Sequence, residues 1–395
     1  MYKNLSKFLK TFHLCLIFTF VFVLINFSCK NDKSKIINDT RSIGQFTSAK
    51  IKYAKGFNIK YFKNYKEIQV IDYKNKNNPV VEKYILIDKN KKVQGNFNNI
   101  KIIRTPVQRV ICLSTTHVAF VNSIGKTQTI VGISGAYLIN NEKVSNLIKI
   151  NKILDVGYDN NLNYELILSL KPDLIFAYSI IGESNIYINK LKELGLNVVT
   201  NIEYLEEIPL AKTEWIKFIA AFYNEENQAN SKFDKIEQEY NSYKKLVDNV
   251  KSCPTVITGL PWKSIWYVPG GNTNISNFIS DAGGKYIYKN YTSSSIIPSG
   301  IESVFSKFQN ADIWINCGTA NSINDILLND KRLQYFKSFR ERKIYNNNAK
   351  QNAYGGNDYW ESGLMNPQII LKDLITIFHP EVFPDHKFIY FKKLL

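Results

Sequence analysis

The sequence predicts two wound α/β lobes joined by a long helical segment, with a strand-rich extension in front. Three observations carry this. Short apolar strands alternate with helices from residue 109 to residue 208; the alternation stops over 211–250, where the pattern is helical throughout; and it resumes from residue 255. Strands separated by helices imply parallel, wound sheets. The chain has 395 residues, 45% hydrophobic and 22% charged, which is ordinary for a globular protein and excludes a disordered tail. One apolar run alone excludes a multi-span membrane protein.

Residues 1–28 read as a targeting segment. Lys3, Lys7 and Lys10 precede a nearly continuous apolar run from Phe12 to Phe27, and Ser28-Cys29 follows. That is a basic region, an apolar region and a small residue before a cleavage point. The clean run from His13 to Ile25 is short against the ~20 residues of a membrane span. A cysteine at this place resembles the bacterial lipoprotein signal, in which the thiol is diacylated and becomes the new N-terminus; Asn26 stands where Leu is usual. The resemblance implies lipidation of Cys29, with residues 29–50 as a solvated tether.

Residues 51–104 alternate. Ile59 and Tyr61, then Ile68 and Val70, then Tyr84 to Ile87 are punctuated by Asn64, Pro79 and Asp88-Lys89-Asn90. This predicts short antiparallel strands or hairpins. In the first lobe, residues 105–208, Val110–Leu113 is a buried strand, Ser114 to His117 a polar turn, and Val118–Ile124 a helix stopped by Gly125. Thr129–Ile133, Asp173–Ala177 and Leu196–Thr200 are further strands; Leu162–Leu170 and Tyr187–Leu194 are helices, one halted before Pro172 and one closed by Gly195.

Residues 209–250 form the link, helical with a bend near Asn224. Phe233, Ile236, Tyr240, Tyr243 and Val247 are spaced 3, 4, 3, 4 and so share one stripe. The second lobe, residues 251–395, repeats the first pattern. Thr255–Gly259, Ile313–Cys317 and Ile344-Tyr345 are strands; Asn274–Ala282, Ile301–Phe308, Leu333–Phe339 and Pro367–Phe378 are helices.

The formal net charge is +17, or +14 once the three lysines of the leader are removed. The basic excess favours an anionic ligand, and the lysines are dispersed and form no dense basic run, which speaks against nucleic acid. Outside the leader and Cys29 the cysteines are Cys112, Cys253 and Cys317, an odd number without metal spacing; each sits in or beside an apolar run and reads as a small core residue. One disulfide among them is left open. Gly125-Lys126-Thr127 imitates the end of a phosphate-binding loop, but Phe120 occupies the place of the required upstream glycine. No His-Glu-x-x-His, Gly-x-Ser-x-Gly or Cys-x-x-Cys occurs. His379, before Pro380 at a helix end, reads as a cap, whereas His117, in the first strand-to-helix turn, reads as a ligand contact. No catalytic residue, metal ligand or cofactor is therefore expected.

The layout and residues resemble the ABC-transporter substrate-binding proteins of the iron–siderophore, haem and cobalamin class. The parts are Arg109 to His117 with Ile130-Val-Gly-Ile133; Asn163-Tyr-Glu165 and Leu170-Lys-Pro-Asp-Leu-Ile175; Asp281-Ala-Gly-Gly284; Ala311-Asp-Ile-Trp-Ile315; and Asp358-Tyr-Trp-Glu-Ser362 before Pro367. The likeness spans residues 105–395 and implies two Rossmann-like lobes joined by one long rigid helix, with a ligand between them. It implies no bond chemistry, a ferric siderophore or another metal chelate as ligand, haem or cobalamin as the alternatives, and a periplasmic or cell-surface site. A chelate-processing enzyme and a ligand-free scaffold are the more remote readings.

The resemblance further implies one acidic residue per lobe that docks onto a permease dimer. Glu165 matches the first and Glu361 the second, with Glu302 as the competitor. Ligand contacts should come from strand-to-helix turns facing the gap. These are Ser114, Thr115, Thr116, His117, Tyr137, Tyr158 and Tyr178 in the first lobe; in the second they are Trp262, Trp266, Tyr267, Asn272, Tyr354, Asn357, Tyr359 and Trp360.

Overall fold

The computed structural model describes residues 48–395 apart from 76, 78, 94, 96, 98, 99, 159, 160 and 180–185; the leader, Cys29 and most of the tether lie outside the described residues. The extension is a four-stranded sheet of β1 (Phe57–Tyr61), β2 (Lys66–Ile71), β3 (Val80–Asp88) and β4 (Lys101–Thr105), in that order. β1–β2 and β2–β3 are antiparallel, as alternation predicts, but β3–β4 is parallel. A parallel pair needs a crossover of about a dozen residues, and residues 89–100 supply it.

The first lobe runs β5 (Val110–Cys112), α1 (Thr115–Ser123), β6 (Ile130–Ile133), α2 (Glu142–Lys149), β7 (Leu154–Asp155), α3 (Tyr164–Ser169), β8 (Leu174–Tyr178), α4 (Ile186–Glu193) and β9 (Val198–Asn201). Its strands pair in parallel in the order β7-β6-β5-β8-β9. The chain therefore leaves β5 at the point where the winding reverses, the place where α/β sheets open a crevice.

The link is three helices in series, α5 (Pro209–Glu214), α6 (Ile216–Ala221) and α7 (Glu226–Leu246). The bend falls at Asn224, whose φ of 57° is left-handed. Asn tolerates that conformation better than most residues.

The second lobe continues with β10 (Thr255–Thr258), β11 (Pro261–Trp262), β12 (Ile265–Pro269), α8 (Asn274–Asp281), β13 (Lys285–Tyr286), β14 (Ile296–Gly300), α9 (Ile301–Phe308), β15 (Ile313–Ile315), α10 (Ile323–Asn329), α11 (Lys337–Arg340), β16 (Ile344–Asn346), α12 (Pro367–Phe378) and β17 (Lys392–Lys393). Its main sheet has the order β13-β10-β15-β16-β17, parallel except for β17; β11-β12-β14 form a small antiparallel sheet. The helix expected over Leu333–Phe339 is instead a 3-10 turn over Lys331–Tyr335 followed by α11, because Phe336 is extended between them.

The lobes repeat one device. The Asp173 carboxylate, at the entry to β8, accepts the N–H groups of Gln108 and Arg109 at the entry to β5 (2.6 and 3.2 Å). The Asp312 carboxylate, at the entry to β15, likewise accepts from Thr255 N–H and hydroxyl at the start of β10 (2.8 and 2.7 Å). Each aspartate sets two adjacent strands in register.

The extension is packed onto the link. Phe57 meets the rings of Trp215 and Phe218 at 4.9 and 5.5 Å, all three buried. The buried Glu214 carboxylate accepts the N–H groups of Lys52, Tyr53 and Ala54 at 2.6–2.8 Å. The ammonium of Lys66 on β2, also buried, pairs with Glu226 and donates to the Ala221 carbonyl and to Asn224 Oδ1 (both 2.9 Å). It therefore holds the bend of the link. Cys112 and Cys317 are buried, Cys253 is exposed, and all three are free thiols.

Candidate ligand-binding cleft

A cavity of about 450 Å³ opens between the lobes at the C-terminal ends of the strands. The first lobe contributes Thr115 and Leu138; the second contributes Asn316, Gly318 and Thr319 after β15, Asn347 and Asn348 after β16, and Gln351, Gly355, Gly356, Asn357 and Trp360 from the following loop. Five of these are carboxamides, and among the described lining residues none is charged.

The loops are tied to one another before any ligand arrives. Asn346 Nδ2 donates to the carbonyls of Gly318 and Ala320 (3.0 and 2.7 Å). Asn348 Nδ2 donates to the Ala320 carbonyl and Asn321 Oδ1 (3.1 and 3.0 Å), while its own Oδ1 is buried without a partner. The Oδ1 of Asn316 is also buried and unpartnered. Two hydrogen-bond acceptors in the wall are thus unused by the protein, a state that burial makes costly unless something donates to them.

One side of the cleft is sewn shut. Asn352 Nδ2 donates to the carbonyls of Tyr137 and Ile139 (3.0 and 3.2 Å). Gly356 lies so close to the Leu138 carbonyl that a Cβ would stand 2.1 Å from the oxygen. Beside them the Glu361 carboxylate accepts the N–H groups of Asn140 and Asn141 (2.6 and 3.0 Å) at the start of α2. Burial raises the Glu361 pKa, and the charge of Asp358 adds to this; the two N–H bonds oppose it.

This corrects the expectation for Glu361. Only 2% of it is exposed, and both its oxygens are engaged across the lobe interface, so it is not a surface carboxylate for a partner protein. The exposed counterpart is Glu302 in the first turn of α9, paired with Arg332. Its own backbone N–H, then Arg332, hold its pKa down. Glu302 occupies in the second lobe the place of Glu165, which is exposed in the first turn of α3. Both helices lead into the strand opened by the lobe's paired aspartate.

The structure brings Thr115, Asn357 and Trp360 together in the cleft, with Trp360 56% exposed. Thr116 and Tyr359 line a smaller chamber behind Trp360. Tyr137 and Tyr354 flank lining residues in the chain and are exposed. Ser114 caps α1, its Oγ accepting from Thr116 N–H at 3.2 Å.

His117 departs from expectation. The helix begins at Thr115, three residues early, so the imidazole enters the core, where its ring lies 6.2 Å from Phe176; burial lowers its pKa to about 3 and keeps it neutral. Trp266 is likewise buried, 5.5 Å from Trp314 and donating its Nε1–H to the Thr258 carbonyl, because β12 alternates and turns Trp266 and Val268 inward. The same alternation leaves Trp262 and Tyr267 exposed on the β11–β12 hairpin, outside the cavity lining, with Lys263 4.6 Å over the indole of Trp262. Tyr158 covers Gly135, Tyr178 packs 6.1 Å from Tyr187, and Asn272 donates to the Thr292 carbonyl at 2.9 Å; none lines the cavity.

Asn316, Thr319, Asn347, Asn348 and Gln351 are cleft residues that sequence reasoning missed. Their signal was available. They follow β15 and β16 directly, as Ser114 to Thr116 follow β5.

Residues 110–350 match the periplasmic binding protein family, and the chain belongs to it. Among curated proteins it is similar to two proteins of Methanocaldococcus jannaschii, each called an uncharacterized lipoprotein. One (MJ0878) is 30% identical over 305 residues, covering 75% of this chain and 71% of the relative. The other (MJ0872) is 29% identical over 318 residues, covering 77% and 78%. Among solved structures it is similar in fold to a possible iron-binding periplasmic solute-binding protein of Staphylococcus epidermidis, with TM-score 0.55 and 18% identity over 70% of this chain and 100% of that one. It is also similar to the periplasmic haem-binding protein RhuT of Roseiflexus, with TM-score 0.53 and 19% identity over 70% and 99%. Among the described residues no helix is long and apolar enough to cross a membrane.

Proposed function

We propose that this protein is the substrate-binding component of an ABC importer, tethered outside the cell membrane through lipid on Cys29, and that it captures a metal chelate of no net charge. The observation that carries the ligand class is the cleft wall: five carboxamides, two hydroxyl residues, an exposed indole and, among the described residues, no charge. An anionic ferric chelate needs cationic side chains to offset its desolvation, and the dispersed surface lysines do not supply them there. A chelate with peripheral amides or hydroxyls matches carboxamides donor for acceptor, and Trp360 can lie against its flat face. This reading replaces the anionic ferric chelate expected from overall charge. Haem is disfavoured because, among the described lining residues, there is no imidazole, phenol or thioether to serve as axial ligand.

The cleft also supports binding rather than turnover. Thr115 and Thr319 are its hydroxyl groups, and among the described lining residues no acid or imidazole stands by as a base. The names of the relatives support the lipid anchor. We assign permease docking to Glu165 and Glu302, two exposed carboxylates on separate lobes that can read both halves of a dimeric transporter at once. The test is titration of the purified protein with dicyanocobinamide, a neutral ferric trihydroxamate, a triply anionic ferric catecholate and haem, read by tryptophan emission. Saturable quenching by a neutral chelate that is recovered unchanged is expected. Preference for the catecholate would overturn the ligand class, and an altered chelate would overturn the binding-only reading.

A further inference from the structure

Behind Trp360 lies a smaller chamber of about 50 Å³ that no role in the fold accounts for. Its walls come from both lobes and the link: Thr116 of α1, Glu203 after β9, Lys212 of α5, Asn274 of α8, and Tyr359 with Trp360. Trp360 is a wall of this chamber and of the cleft. The remaining lining is apolar or small, with Phe278 and Ile370 among it.

The polar groups are arranged as a receptor with open valences. Glu203 is only 5% exposed, and its Oε2 is buried without a hydrogen-bond partner. The Nδ2 of Asn274 is also buried without one. The chamber thus offers a free acceptor and a free donor. Burial makes each costly if left unmet. Lys212 balances Glu203 electrostatically: burial raises the Glu203 pKa, while the lysine's charge and then a hydrogen bond from the Thr116 hydroxyl to the carboxylate lower it, which leaves Oε2 as the open acceptor. The reciprocal holds for Lys212, whose pKa burial lowers and Glu203 raises. A charged guest would add an uncompensated buried charge to this balanced pair.

We propose that the chamber is a second ligand subsite, taking an uncharged arm that carries an N–H donor and a carbonyl acceptor together, namely a primary carboxamide, from a chelate held in the cleft. This rests on the cleft reading given above. The N–H of the arm donates to Glu203 Oε2, and its carbonyl accepts from Asn274 Nδ2. A water needs about 10–15 Å³, so a chamber of 50 Å³ has room for roughly three or four, the bulk of a –CO–NH2 group. The arm enters past the indole of Trp360, which is exposed on its cleft side and stacked edge-on against Tyr359 at 4.7 Å.

The test compares two neutral corrinoids by tryptophan quenching. In their dicyano forms both are neutral; cobinamide carries primary carboxamides around its rim, whereas heptamethyl cobyrinate carries methyl esters, which cannot donate to Glu203 Oε2 and set an oxygen lone pair against it, so an ester arm stays out of the chamber and makes no use of Asn274. The purified wild type should bind cobinamide at least ten-fold more tightly. Asn274→Ala, at the first position of a helix where alanine is well tolerated, should remove most of that preference. Ile370→Phe, which fills the chamber without touching its polar groups, should do the same; both variants should leave ester binding within about two-fold. Equal binding of the two corrinoids by the wild type, or equal weakening of both in the variants, overturns the subsite and spares the cleft. Failure of the wild type to bind either probe while it binds the anionic catecholate overturns the cleft reading, and the subsite with it. A thermal melt of each variant separates loss of the subsite from loss of the fold.

Discussion

Replacing Glu361 by alanine should unlatch the two lobes. Its carboxylate is the acceptor for two N–H groups of the opposite lobe, at 2.6 and 3.0 Å, and is 2% exposed. Truncation leaves both N–H groups without their acceptor in the latched form, at about 1–3 kcal/mol each. Water that enters the space left behind recovers part of this. A loss of about 2–3 kcal/mol is expected, roughly 30- to 150-fold in the ratio of latched to open lobes. Spin labels at the exposed Ile150 and Leu328, with Cys253 replaced by serine, place one probe on each lobe. Pulsed dipolar spectroscopy should show one narrow distance distribution in the wild type and a second, longer population in Glu361→Ala. The sign of the pH effect follows. The latched form has the higher Glu361 pKa and so holds the proton more tightly than the open form. Lowering pH from neutrality toward the ordinary carboxylate range therefore favours the latch, and Glu361→Gln should flatten that dependence. A single unchanged distance in Glu361→Ala would refute the reasoning and leave Asn352 and the Gly356 contact as sufficient fastening.

Three further outcomes are expected. Glu214→Ala strands three backbone N–H groups and takes from the buried Lys217 ammonium its carboxylate partner, so it should cost about 3–5 kcal/mol in urea denaturation; a loss under 1 kcal/mol would mean that the extension is not anchored by this carboxylate. Asp312 is partly desolvated, yet hydrogen bonds from Lys337 and Thr255 hold its pKa down from 3.8 to about 2. Its stabilisation, about 1–2 kcal/mol after solvent screening, is present above pH 4 and lost as pH falls toward 2, and Asp312→Asn should remove that part of the acid transition. Glu165→Ala with Glu302→Ala should leave the ligand dissociation constant within two-fold and abolish uptake by cells; uptake at the wild-type rate would remove the docking assignment.

The alternation of strands and helices was legible in the sequence because each element has its own period. The bend at Asn224 and the return of the pattern at residue 255 were legible for the same reason. What was not legible depends on partners distant in sequence. The parallel pairing of β3 with β4 has no local mark, since both strands read as alternating whatever their direction. Trp266 and Tyr267 are neighbours in one alternating strand, and only the sheet behind β12 decides which of them is buried. Glu361 sits in the family-like run before Pro367, yet its partners lie 220 residues away. His117 was misplaced by a three-residue error at a helix start, enough to turn a side chain from the gap into the core.

The seam between the lobes is built almost wholly from backbone groups on the first-lobe side: the carbonyls of Tyr137, Leu138 and Ile139 and the N–H groups of Asn140 and Asn141. Backbone positions are fixed by the fold, so the second lobe alone carries the side chains that tune closure. The loop that bears them, residues 351–361, also supplies Gln351, Asn357 and Trp360 to the cleft. A ligand that draws on those three groups therefore acts on the same short loop as Asn352, Gly356 and Glu361. The extension works from the other end: its backbone at residues 52–54 donates to Glu214 of α5, and its Lys66 holds the bend of the link. With the link held by the extension and the far edge held by the seam, the free motion left is that of the loop itself. Ligand capture in this protein should accordingly move the 351–361 loop and Trp360 more than it moves the lobes.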